Sequence, residues 1–137
     1  MSRKKLFGLI PRLPGLDPAE FHDHYRHPHG SCGRHMSTLR NYVQSHQIHT
    51  DLLGPSQTKF EAVAEMWVDC AQDVIGFRTE PILVKYLKTD EPKFIDKTRS
   101  GFLITNEEVV RSGPSIEEGH EGADLMWSPF DRALSVK

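Results

Sequence analysis

The chain has 137 residues, 37% hydrophobic and 26% charged, with a formal net charge of −2, a balance that suits one compact domain plus a short tail and excludes a disordered chain. Only Arg3, Lys4 and Lys5 are adjacent cations, so there is no basic face to collect phosphates and no nucleic-acid partner is expected. No apolar run approaches the ~20 residues of a membrane span, and the start lacks the apolar stretch of a secretory leader, so a cytoplasmic protein with no membrane partner is expected.

The first expected element is a strand over residues 6–10, stopped by Pro11, which cannot donate to a sheet ladder. Pro14-Gly15 turns the chain. Asp17, Pro18 and Glu20 then supply an N-cap, a proline at the first helical position and a capping-box carboxylate. Phe21 and Tyr25, four apart, mark the buried stripe of this helix, and Pro28 ends it, placing His29 at or just beyond its terminus. A second short helical stretch is expected over residues 31–37.

Residues 39–48 read as a strand whose alternation sets Tyr42, Gln44, His46 and Ile48 on one face and Leu39 and Val43 on the other. The first of these faces is too polar for an ordinary core. Residues 51–59, with Gly54-Pro55-Ser56, read as a loop. The clearest strand follows over residues 60–68, with Phe60, Ala62, Ala64, Met66 and Val68 on one side and Glu61, Val63, Glu65 and Trp67 on the other. Asp69 is expected to cap a helix through Val74 and Phe77, and Ile82, Leu83, Tyr86 and Leu87 recur at helical spacing until Asp90-Glu91-Pro92. A last strand is expected over residues 102–110.

The order strand, helix, strand, strand, helix, strand is the ferredoxin-like plan, an α+β fold with a four-stranded antiparallel sheet and helices on one face. The domain is expected over residues 1–110, with a tail over 111–137 that packs on the domain or on a second subunit. An open sheet face is most simply buried against a second copy, so a homodimer is expected, with the apolar side of the 60–68 strand as the interface.

Two histidines carry the chemical expectation. His29 follows a helix and His46 lies on the polar strand face beside Tyr42 and Gln44, so both are expected to line one wet pocket, where imidazole can exchange protons near neutrality. Each has a plain structural alternative, a helix-end histidine for His29 and a solvated strand for His46. Glu65 is expected to orient or charge a histidine, and Trp67 to supply an apolar wall, against the plainer readings of a surface ion pair and a core indole.

His22, His24, His27, His29 and His35 are dense, yet only His24 and His27 have helical spacing for a shared ligand face, so no specific metal site is expected. No phosphate-binding glycine motif is present and no bound cofactor is expected. Cys32 and Cys70, the two cysteines, are expected to be free thiols.

Arg12-Leu13-Pro14-Gly15-Leu16, the 21–26 helix ending at His29, Tyr42-Val43-Gln44-Ser45-His46, Val63-Ala64-Glu65-Met66-Trp67 and Phe94-Ile95-Asp96 followed by Arg99-Ser100 resemble, in that order, the EthD family. The resemblance covers residues 4–108. It implies a dimeric α+β barrel, in whose wider superfamily small, often aromatic molecules undergo oxidation, isomerisation, dehydration or decarboxylation, many without a bound cofactor. EthD itself is associated with a cytochrome P450 system that oxidises a fuel ether. His29 and His46 are the expected acid and base, and Tyr42, Glu65, Trp67, Phe94 and Asp96 the expected contacts to a small-molecule substrate; Asp96, which matches the family's Phe-Ile-Asp, has a cap or turn former as its plain alternative. A binding accessory of an oxidative degradation system is the non-catalytic alternative. The chain departs from the family in His27-Pro28-His29-Gly30-Ser31, in His24 where an aromatic residue is usual, and in a longer loop over residues 50–59.

Overall fold

The structure, a computed structural model, describes residues 4–113. The chain divides into two compact units, Met1–Glu107 and Glu108–Lys137, and every strand and helix described lies in the first. The role expected for the tail falls mainly outside the described residues. Among the described residues no helix is long and apolar enough to cross a membrane.

The strands are β1 (Lys4–Ile10), β2 (Asn41–His46), β3 (Ala62–Val68) and β4 (Gly101–Asn106), in the spatial order β2-β3-β1-β4. All three pairings are antiparallel. The helical layer comprises α1 (Pro18–His24), α2 (Ser31–Gly33), α3 (Gln72–Gly76) and α4 (Lys88–Asp90), with wider or tighter turns at Tyr25–Gly30, Phe77–Thr79 and Leu83–Leu87. This is the expected ferredoxin-like α+β plan, with helices on one face of the sheet.

α1 begins as its residues dictate: Asp17 Oδ1 accepts from Ala19 N at 3.1 Å and Pro18 takes the first helical position. The chain then leaves helical geometry at His27 (φ −141°, ψ 125°), before a cis His27–Pro28 bond, and resumes it through Ser31–Gly33. His29 therefore sits on a short irregular turn between two helical pieces. The helix near Asp69 differs from its expected form, because Asp69 Oδ2 accepts from Arg40 Nε at 2.9 Å and the helical segment starts only at Gln72.

The sheet is packed from its helical side. Ala62, Ala64 and Val68 are buried there. One cluster joins Ile10, Phe21, Tyr25, Ala62, Ala64, Phe94 and Ile95; a second joins Leu6, Met36, Val68, Phe77 and Leu87. The apolar side of β3 is thus covered by the chain's own helices, which corrects the expectation that it forms the subunit interface. Leu39 likewise packs into the core ahead of β2 rather than sharing the outer side with Val43.

Candidate active site

Across the middle of the sheet the register aligns Gln44 with Ala64, Ala64 with Gly8, and Gly8 with Phe102. Ala64 and Gly8 put almost no side-chain volume beneath the helices, and a cavity of about 720 Å³ opens there. That falls within the usual range for small-molecule sites. Both core clusters contribute to its walls: Ile10, Tyr25 and Ala64 from one, Leu6, Met36 and Leu87 from the other. The lining is mainly apolar. Its polar groups are Tyr25, His29, Tyr42, Glu91 and Ser100, with exposed Arg78, Lys88 and Lys97.

His29 is buried on the cavity wall, between the rings of Tyr25 (centroids 5.7 Å apart) and Phe94 (5.0 Å). Its Nδ1 faces Asp90 Oδ2 at 3.3 Å, while the other oxygen of that carboxylate faces His24 Nε2 at 2.7 Å. A carboxylate can only accept, so His29 carries its proton on Nδ1 and leaves Nε2 as the basic nitrogen. Burial pushes the His29 pKa below its ordinary 6.5, against the opposing pull of Glu91 and Asp90. The ring is a neutral base at pH 7.

His46 belongs to a second arrangement behind the cavity. Gln44 Nε2 donates to the Tyr25 carbonyl at 2.8 Å, which fixes the orientation of the amide, and to the Tyr42 hydroxyl at 2.9 Å. Gln44 Oε1 then accepts from His46 Nε2 at 3.0 Å. The other ring nitrogen, Nδ1, lies 2.6 Å from His22 Nδ1. Burial foremost, then the neighbouring His22 and the positive Arg26, push the His46 pKa down to about 3. The Tyr42 and Tyr25 hydroxyls are both pushed up by burial and stay protonated. The Tyr25 hydroxyl makes no hydrogen bond of ordinary geometry and has that of Tyr42 as its polar neighbour.

His29 and His46 are therefore close but not in direct contact: both pack on Tyr25, which lies 5.7 Å from one ring and 5.3 Å from the other. His29 and Tyr42 line the cavity; His46 lies one hydrogen-bonded residue behind Tyr42. Phe94 is fully buried and supports His29 from the core. Strand alternation puts Glu65 and Trp67 on the sheet face opposite Ala64 and Met66, away from the cavity wall. There Lys5 Nζ lies 3.6 Å from Glu65 Oε2 and 4.4 Å from the centre of the Trp67 ring. Asp96 also lies off the lining and closes a turn, accepting from Thr98 N at 3.1 Å and Arg99 Nε at 2.7 Å. The Thr98 hydroxyl, which donates to Asp96 Oδ1 at 2.6 Å, and then Arg99 hold its carboxyl below the usual range. Sequence reasoning missed Asp90, which reads as a helix terminator and lies 61 residues from its partner.

The profile of the EthD domain matches residues 13–98. No curated protein sequence matches the chain significantly. Among solved structures, an EthD family protein from Bacillus halodurans is similar, at 21% identity and TM-score 0.61 over 77% of this chain and 99% of that one. An EthD-like protein from Ralstonia eutropha has 17% identity and TM-score 0.57, with 82% and 97% covered. A dimeric ferredoxin-like protein from Bacteroides fragilis has 11% identity and TM-score 0.59, with 78% and 98% covered. These identities carry the fold, and the profile, spanning more than half of the residues, settles descent: the chain belongs to the EthD domain family.

Proposed function

We propose that this protein is a small-molecule enzyme in which His29 removes a proton from a ketone-like or aromatic substrate and Tyr42 donates a hydrogen bond to the oxygen where charge develops. The observation that carries this reading is a neutral histidine, oriented by Asp90, on the wall of an apolar cavity that also holds a protonated tyrosine. The Tyr42 oxygen already accepts from Gln44, so its own proton is available to a ligand. His46 acts through Gln44 as a positioning residue. Enolisation, dehydration and oxygen-dependent oxidation of an activated substrate all begin with such a proton removal, and a positioned base contributes ~10²- to 10⁴-fold to rate.

A homodimer is part of this reading. The Bacteroides fragilis protein is described as dimeric, and the outer sheet face of this chain carries Val43 and Leu103, 43% and 55% exposed. Its free thiols at Cys32 and Cys70 agree with a cytoplasmic setting.

The mainly apolar lining favours one rival, a binding accessory that holds an intermediate of an oxidative pathway without converting it. Incubating the protein with a panel of aryl ketones and phenols, with and without oxygen, and following mass separates the two. Conversion that is lost in His29→Gln supports the enzyme; saturable binding with unchanged mass across the panel supports the accessory.

A further inference from the structure

The proton positions in the His46 network have a consequence at its far end. Because Gln44 fixes the proton of neutral His46 on Nε2, His46 Nδ1 is an acceptor, and His22 must donate to it from Nδ1 across 2.6 Å. The other ring nitrogen of His22, Nε2, faces Glu61 Oε2 at 3.3 Å. Both groups are nearly sealed from solvent, the His22 and Glu61 side chains being only 8% and 3% exposed. His49 Nε2 reaches the same oxygen at 2.6 Å, and the three ligand atoms all lie within 4.8 Å of one another.

We propose that His22 Nε2, His49 Nε2 and Glu61 Oε2 bind one divalent first-row transition-metal ion, of the zinc type, at a site distinct from the cavity. Two imidazole nitrogens and a carboxylate oxygen suit such an ion. Bonds of about 2.0–2.1 Å in tetrahedral geometry separate ligand atoms by roughly 3.3 Å, the spacing already present between His22 and Glu61. The closer His49 ring is 53% exposed, so it can swing outward on binding and leaves an entry path and a solvent-facing fourth position.

The surrounding groups set the charge. Arg12 Nε holds Glu61 Oε1 at 2.9 Å, keeping the carboxylate ionised and leaving Oε2 as the ligand; Gln47 Nε2 donates to Oε2 at 3.3 Å. The positive charge of Arg26 acts on His22 as well and opposes the ion. Against these, one buried carboxylate oxygen and two imidazole nitrogens already gathered within 4.8 Å each gain a coordinate bond to the ion. It would also tie the segment after β2 to α1 and to the start of β3, and hold His22 in the tautomer that donates to His46. Helical spacing could not reveal the site, since its ligands lie 27 and 12 residues apart and meet only in the folded chain.

The test is titration of the chelator-stripped full chain with Co²⁺, followed by visible absorption, and with Zn²⁺, followed by calorimetry. One ion per chain is expected, with ligand-field bands for Co²⁺ and a higher melting temperature with Zn²⁺. His49→Ala, at an exposed position, should weaken binding by at least about tenfold and abolish both the bands and the thermal shift. His22→Gln should do the same. His27→Ala and His35→Ala, both exposed and outside the site, should leave all three readouts unchanged. Absence of binding by the parent chain, binding that survives His49→Ala and His22→Gln, or binding lost with His35→Ala would each overturn the proposal.

Discussion

His29 is useful as a base because its other nitrogen is engaged: Asp90 takes Nδ1–H, and the flanking Tyr25 and Phe94 rings hold the imidazole plane. His29→Gln should lower turnover by ~10²- to 10⁴-fold, measured as initial rates on any substrate the panel identifies. Since burial lowers the His29 pKa, turnover should be flat through neutrality and fall only below pH 6.5. Asp90 is among the groups that pull that pKa upward, so Asp90→Asn should move the acid limb to still lower pH while also reducing kcat. A merely structural Asp90 would leave the position of the limb unchanged. The same shift acts on stability. The unfolded histidine takes up a proton near pH 6.5 and the folded one only at lower pH, so the stabilisation is complete above pH 6.5 and is lost as pH falls toward the folded value. Urea midpoints between pH 7 and 5 should therefore drop less for His29→Gln than for the parent chain. At this scale His29, His46 and Tyr42 were legible from a helix stop and a polar strand face. The partner Asp90 and the His22–Glu61 contact were not, because neither follows from local spacing.

At the scale of elements, the cavity exists because β1 and β3 place Gly8 and Ala64 side by side under the helices. Ala64→Leu should fill that space, weakening ligand binding by at least about tenfold while the chain stays folded, as measured by calorimetry alongside circular dichroism. Phe94 carries the opposite burden: fully buried against Phe21, Tyr25, His24 and His29, its replacement by Ala should cost about 3–5 kcal/mol in denaturant unfolding. Alternation in β2 and β3 predicted which residues share a face, and the register agrees over residues 62–68; Glu61, expected beside Glu65 and Trp67, precedes the strand and is buried against His22 instead. It could not say which face the helices cover. For β3 the apolar side is the covered one, and Glu65 and Trp67 went with the outer side as a result. The expected Asp69 cap did not form: Arg40, just ahead of β2, donates to its carboxylate and the helix starts at Gln72.

For the whole molecule, the order of elements was enough to predict the ferredoxin-like topology, because short connections and antiparallel pairing leave few alternatives. The outer sheet face is where a second copy is expected, and Val43 and Leu103 lie on it. Val43→Asp with Leu103→Asp should therefore convert a dimer into a folded monomer in sedimentation. The central claim, however, concerns proton removal within one subunit. Its most direct measurement is the exchange of α-protons of an aryl ketone in D₂O, followed by NMR, with the parent chain and with His29→Gln. The parent chain should accelerate exchange above the buffer rate and His29→Gln should abolish that acceleration; equal exchange by both proteins would contradict the account.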